Sequence, residues 1–342
     1  MANTAERAPI PPTPDPPVTT PVPVRPARTP PTRYLGALVR RHRLAPYLLL
    51  APALAGIALV LLWPLLQVFV YSFQNYGIPQ ITGAAPIQWV GLANFTQTFT
   101  DPEFWLSLRI TVLFAAVAVP LTLVVGTLVG LLLNRLGKKM AAFVSTAALL
   151  AWSVPPVAAT VLFYWMFNPD GGLVDWALSR LPHWLVGNTN WAGFNWTTTD
   201  ALHMYAVLLL LVVWQAFPFI AVAVLAGLKT VPVELYEAAR VDGASPVRVF
   251  RQITYPLLKP IFLVLLLFSV IWDFNIFTQT YLLSGFPGNR DEFNLSLYIY
   301  DKAFLFPPSY SLGGALALIF TLILLVVTVG YVRASVRQGA LA

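Results

Sequence analysis

Residues 203–228 read HMYAVLLLLVVWQAFPFIAVAVLAGL, and residues 229–259 immediately after them read KTVPVELYEAARVDGASPVRVFRQITYPLLK. The first stretch holds no Asp, Glu, Lys or Arg, and as a helix it is long enough to cross about 30 Å of hydrocarbon. The second is polar and far longer than the few residues a connector between helices needs. A membrane span followed by a built polar loop therefore sets the reading of the chain. Moving outward, further apolar blocks lie at 46–73, 106–133, 143–167, 260–284 and 312–332. The expected fold is all-α, a polytopic membrane protein of about six transmembrane helices.

Composition agrees. Of the 342 residues 58% are apolar and only 10% are charged, against about 25% charged in ordinary soluble domains. A soluble fold of this size could not cover itself with so few charges. The net charge of +7 reads as membrane topology rather than nucleic-acid binding. Of the 21 Lys and Arg, only Arg109, Arg180, Arg290 and Lys302 fall outside if the N-terminus is cytoplasmic, so both termini are expected inside. Trp176, Trp184, Trp191 and Trp196 then sit in a loop at the outer interface, where amphipathic rings are favoured. The absence of cysteine excludes disulfides, thiol catalysis and thiolate metal sites. His42, His183 and His203 have no metal-ligand spacing.

Residues 1–33 are a different polymer. The run PIPPTPDPPVTTPVPVRPARTPP at 9–31 lacks the apolar bulk to build a core, so a disordered proline-rich cytoplasmic tail is expected, with residues 34–342 forming the membrane domain. No apolar segment opens the chain, which argues against a cleaved signal peptide. The block after Arg40-Arg41 is too long for a twin-arginine signal core. Pro64, Pro120, Pro155-Pro156 and Pro218 each remove a backbone donor, so kinks are expected there. Gly126 and Gly130 give the second span a small face for close helix packing.

The 229–259 loop carries helix punctuation. Pro232 suits a first turn, Glu234 and Glu237 favour the positive end of a helix, Gly243 is a natural stop, and Ser245-Pro246 restarts. Tyr236, Ala239, Val249, Phe250 and Ile253 supply apolar positions. Two short helices at a glycine bend make a rigid knob for docking into another protein. An amphipathic hairpin lying on the membrane is the alternative.

Asp273 falls within the fifth apolar block, where an unpaired carboxylate costs about 2.5–3.5 kcal/mol or more. It should face a partner or a water-filled cavity. Asn275 and Gln279, four apart, repeat the polarity, while Trp272 and Phe277 add flat rings. Carboxylates and amides bind hydroxyls and rings take C–H faces, which is the chemistry of a sugar path. Trp214 and Gln215 in the fourth block are further candidates. A purely structural pairing of Asp273 with a group on a partner protein is the competing reading.

The order Glu237-Ala238-Ala239, three residues, Gly243, nine residues, Ile253, two residues, Pro256 resembles the EAA loop of ABC importer permeases. Tyr255 stands where that family more often has leucine. Trp214, Pro218-Phe219, Ala226-Gly227-Leu228, Asp242-Gly243-Ala244, VGLANF at 90–95, WSVPP at 152–156 and LYIYDKAF at 297–304 resemble the carbohydrate-uptake branch, in particular its larger maltose permease subunit. SGFPG at 284–288 departs from the longer glycine run of relatives, which bears on contact with a solute-binding protein. The resemblance implies a type I importer permease fold in the bacterial inner membrane, with the 232–256 loop docked on a separate ATPase. It implies an ATPase-coupling set of Glu237, Ala238, Ala239, Asp242, Gly243, Phe250 and Pro256. It also implies a substrate cavity lined partly by the fifth helix. The expected partners are two ATPase subunits, a second permease subunit forming a heterodimer, an extracytoplasmic sugar-binding protein and the bilayer; no nucleic acid, cofactor or metal is expected.

No G-x-x-x-x-G-K-[ST] loop is present, so the chain is not expected to hydrolyse ATP, nor to be an enzyme of another kind, since H-E-x-x-H and a spaced pair of intramembrane carboxylates are also missing. A proton-coupled sugar transporter using Asp273 is the alternative. The long structured loop and the lack of inverted repeats stand against it. Disaccharides, short oligosaccharides, polyols or glycerol phosphodiesters would all suit such polar chemistry.

Overall fold

A computed structural model describes residues 49–285, 290–305 and 307–337. The proline-rich stretch 1–33, Arg40-Arg41, His42 and residues 286–288 of the SGFPG loop lie outside the described residues. By its contacts the chain forms two units, one ending at Leu62 and one beginning at Trp63.

Among the described residues five helices are long and apolar enough to span a membrane, or six where a bent pair counts as one span. In chain order they are Leu49–Tyr71 (α1), Pro102–Arg135 (α3, preceded by the short α2 at Ala93–Thr100), the bent pair Lys138–Trp152 (α4) and Pro156–Met166 (α5), Ala201–Leu228 (α6), Pro246–Leu283 and Tyr310–Arg333. All-α polytopic architecture is therefore what the chain adopts. A small sheet pairs Gln74–Asn75 (β1) antiparallel with Gln88–Trp89 (β2), Gln74 opposite Trp89. Between α6 and the fifth span lies Val233–Val241 (α7). The fifth span begins with Pro246–Val249, passes through a π-helical turn, Phe250–Thr254, and continues as Tyr255–Phe274, these together called α8. Thr278–Leu283 (α9) and Leu295–Phe304 (α10) lead to the last helix, which continues to Arg337 as α11 (Tyr310–Arg337).

The prolines act unequally. Pro120 and Pro218 sit inside unbroken helices. At Pro155-Pro156 two adjacent donors are lost, and the helix axis turns by 93° between α4 and α5. What reads as a kink in one span is a sharp break, with Pro155 as N-cap and Pro156 at the first helical position. Pro256 is absorbed differently. The Tyr255 N–H donates to Phe250 O, five residues back, so the wide turn just before the proline makes room for its ring and helicity continues.

The second unit's core joins α3, α6 and α8. Gly126 and Gly130 let α3 meet α6 backbone to backbone. A Cβ on Gly126 would come within 2.5 Å of Ile220 Cβ, and one on Gly130 within 2.8 Å of Ala221 O. The packing role expected for this pair is the one seen. Gly227 repeats the device toward α8, where an added Cβ would meet Ile261 at 2.5 Å.

Candidate functional site

A helix that ends inside a membrane must satisfy its last carbonyls without water. After Phe274 the chain leaves the helix, with Asn275 at φ −95°, ψ 23°. Side chains take three of the carbonyls around the break. Asn275 Nδ2 donates to Ile271 O at 2.8 Å and Ser296 Oγ donates to Phe274 O at 3.3 Å. Asn294 Nδ2 and Thr280 Oγ1 both donate to Ile276 O. Asn294 also caps α10 by accepting the Leu297 N–H at 2.9 Å. The break is thus a built feature rather than a frayed end.

Asp273 is in the last turn of α8, inside the fifth span, and Asn275 and Gln279 do not share one continuous helical face because the break lies between them. The side chains nevertheless converge. Trp272, Asp273, Asn275 and Gln279 line one cavity of about 610 Å³ together with Gln215 of α6 and the Trp152–Pro156 break. Two helix breaks facing each other make this space. A side chain bridges them: Gln215 Nε2 donates to Val154 O at 3.0 Å, and Gln279 Nε2 donates to Gln215 Oε1 at 3.3 Å.

Asp273 is 5% exposed, and its Oδ2 has no hydrogen-bond partner among the described residues. An unsatisfied buried carboxylate oxygen costs free energy, so it marks a place prepared for a donor. Aromatic faces flank it. Trp152 stacks on Phe219 with ring centres 5.5 Å apart, and Phe219 meets Trp272 edge-on at 5.5 Å. Trp152 and Ser153 were not among the expected lining residues. The WSVPP motif held the signal, since a double proline inside an apolar run must open the backbone.

Trp214 and Phe277 do not line the cavity. Trp214 packs on Phe163 with ring centres 5.7 Å apart, inside the cluster around Met204 and Leu208. Phe277 stacks toward Tyr281 and Tyr300. Both rings are large and apolar, and each was closer to a core than to the polar space.

The 229–259 loop is ordered as a helix pair. Pro232 is the N-cap residue of α7 rather than its first-turn residue, and Glu234 lies in the first turn. The Gly243 backbone takes φ +66° and its N–H bonds Arg240 O, while the Ala244 N–H bonds Ala239 O at 2.9 Å. That left-handed stop turns the chain back, as glycine allows without strain. Ser245 Oγ then accepts the Arg248 N–H at 3.4 Å to start α8. So the second helix of the pair is the head of the fifth span, not a separate short helix. Tyr236 Oη and Thr254 Oγ1, 3.2 Å apart, tie the two. Glu237, Ala238, Asp242, Gly243 and Pro256 are exposed, Ala239 is buried, and Phe250 is half-buried. Around them Val233, Leu235, Val241 and Val247 are exposed, an apolar patch on a rigid tip.

At the far end of α3 a charge cluster joins distant segments. Tyr298 Oη donates to Asp101 Oδ2 at 2.6 Å. Lys302 Nζ reaches Asp101 at 3.2 Å and Glu103 at 3.0 Å, and Arg290 lies 3.4 Å from Asp301. Burial alone would raise the Asp101 carboxyl, but the bonds from Tyr298, the Glu103 N–H and Lys302 hold it below the usual carboxylate range. Lys302 is raised: burial lowers it, and its bonds to Glu103 and Asp101 outweigh that. No group of His, Asp and Glu able to hold a metal occurs among the described residues.

Comparison with known proteins places this geometry. Residues 123–338 match the family described as binding-protein-dependent transport system inner membrane component. The chain is 37% identical over 302 residues to the diacetylchitobiose uptake system permease protein DasB of Streptomyces coelicolor, covering 88% of this chain and 90% of that protein. It is 30% identical over 287 residues to the trehalose/maltose transport system permease protein MalF of Thermococcus litoralis, covering 84% and 92%. Its fold matches, at a TM-score of 0.72 and 21% identity, a chain of a bacterial ABC transporter involved in the import of the acidic polysaccharide alginate, covering 89% of this chain and 99% of that one.

Proposed function

Because the chain belongs to the binding-protein-dependent transport inner membrane family, we propose that it is the permease subunit of an ATP-driven sugar importer, forming half of a translocation path with a second permease subunit. The reading is supported by relatives that carry diacetylchitobiose and trehalose or maltose. The observation that carries it is the cavity of about 610 Å³ where Asp273, Gln215 and Gln279 meet the rings of Trp152 and Trp272. The carboxylate and amides take hydroxyls and the rings take the apolar faces of a pyranose. The family's permeases are not enzymes, and ATP is hydrolysed by separate subunits.

The exposed tip formed by α7 and the head of α8 is the docking element for those ATPases. Glu237, Asp242 and the apolar Val241 and Val247 supply a mixed surface, and Gly243 sets its angle. Because α8 is continuous from Ser245 to Phe274, a push on the tip is delivered along about 1.5 Å per residue of rigid helix to Asp273. Lys and Arg placement supports a cytoplasmic tip and cytoplasmic termini. An extracytoplasmic sugar-binding protein delivers substrate to the opposite face.

The test is sugar-stimulated ATP hydrolysis in a membrane-reconstituted complex, comparing the native chain with Glu237→Lys and Gly243→Pro. Loss of stimulation in both, with normal insertion and assembly, supports the coupling role. The unpartnered Asp273 Oδ2 favours one rival, proton-coupled sugar transport. Uptake that survives both loop changes and collapses with a protonophore would establish that rival instead.

A further inference from the structure

A second cavity, of about 640 Å³, opens between α3 and α8, away from Asp273. Its order is regular. Along α3 it runs from Pro120 past Leu128 to Arg135, and along α8 from Leu266 past Phe262 to Lys259. The two helices run in opposite directions, so the apolar ends at Pro120 and Leu266 lie together; Arg135 stands at the other mouth and Lys259 partway along the wall, roughly 10 Å from Leu266. From Pro120 to Arg135 a helix rises roughly 22 Å, which is one leaflet of hydrocarbon, about 15 Å, plus a headgroup layer. No acidic residue lines the groove. Among the described residues neither Arg135 nor Lys259 has an ion-pair partner.

We propose that this groove is a binding site for an anionic glycerophospholipid, its phosphate between Arg135 and Lys259 and an acyl chain lying along Leu128, Phe262 and Leu266. The chemistry is complementary at both ends: two cations for a phosphate ester, and a leaflet-long apolar wall for the chain. Basic pockets between spans on the cytoplasmic side bind anionic headgroups in this way. Orientation follows the reading proposed above, but the site does not depend on it. Pro246, Val247 and Phe250 form the lip of the groove, so a bound lipid would touch the head of α8.

The experiment is native mass spectrometry of the full chain, in the complex with which it purifies, exposed to equimolar phosphatidylglycerol and phosphatidylcholine. Each cation near a membrane surface is worth roughly fivefold, so retention should favour phosphatidylglycerol by roughly thirtyfold. The double variant Arg135→Gln with Lys259→Gln should bring that ratio close to one, and Leu128→Trp should exclude both lipids. Thermal unfolding in phosphatidylcholine alone, unchanged in the double variant, separates a lost site from a lost fold. Equal retention by the native chain, or a preference that survives the double variant, overturns the proposal. So does displacement of phosphatidylglycerol by millimolar glycerol 3-phosphate, which would make the site a reader of phosphate without chains. Loss of a co-purifying subunit from the double variant with lipid retention unchanged would assign the groove to that protein instead. Lipid retention is read without transport, so its failure is distinct from failure of the importer reading.

Discussion

At the scale of single residues, two carboxylates stand in surroundings built around their charge. Asp273 is the extreme case, a buried carboxylate with one oxygen unpartnered beside three amides and two indoles. Asp273→Asn keeps the shape and removes the charge. A hydrogen bond to a charged group is worth about 1.5–3 kcal/mol. The sugar concentration for half-maximal uptake should therefore rise by roughly tenfold or more, while the complex assembles normally. Radiolabelled uptake in vesicles reads this, and unchanged uptake would make Asp273 structural. Asp101 gives a pH-dependent counterpart. Its folded pKa is depressed and that of Lys302 is raised, so the pair stays charged across the neutral range. A depressed carboxylate stabilises above its unfolded pKa, about 3.9, and that stability is lost as pH falls through the lower folded value. Thermal unfolding of Asp101→Asn should therefore lie below that of the native chain by a constant margin from about pH 5 to 9. The margin should close only in stronger acid.

At the scale of elements, apolar length and proline position carried the spans into view, because a bilayer demands long uninterrupted helices. All six apolar blocks correspond to helices or to the bent pair. Gly126 and Gly130, four apart, likewise pointed to the helix contact they make. What the sequence hid were the two breaks that build the cavity. A double proline announces a bend but not its 93°. The break after Phe274 contains no proline or glycine at all; it is held by Asn275, Asn294, Ser296 and Thr280, and two of these come from the next segment. Long-range hydrogen bonding of that kind leaves no periodicity to read. For the same reason Trp214 and Phe277, plausible by type, turned out to belong to cores. The α3–α6 contact yields a direct test. Gly130→Leu would drive a side chain into the Ala221 carbonyl and Val224, and overpacking costs about 1–3 kcal/mol or more. Fluorescence-detected size exclusion should show a lower melting temperature and less monodisperse protein, whereas Gly137→Leu, with open space around it, should be neutral.

At the scale of the whole molecule, the exposed tip and the cavity are two ends of one helix. Allosteric coupling means that what binds at one end changes free energy at the other, and that the effect is reciprocal. The π-turn at Phe250–Thr254 is an irregularity between them, and Tyr236 braces it through Thr254 at 3.2 Å. If α8 transmits the stroke as a rod, loosening that brace should weaken coupling without altering either end. Tyr236→Phe removes the hydroxyl and leaves the ring. Basal ATP hydrolysis by the reconstituted complex should be near native, as should sugar binding at the cavity. Sugar stimulation should fall several-fold, in line with typical coupling energies of 1–3 kcal/mol. The Asp273→Asn variant should behave oppositely, with weaker sugar binding but full stimulation once the higher sugar concentration is supplied. Combining the two should multiply their effects on uptake, since one acts on occupancy and the other on transmission. Should Tyr236→Phe leave stimulation intact, the stroke does not pass through the α7–α8 brace. Another contact of the tip, such as the buried Ala239, would then have to carry it.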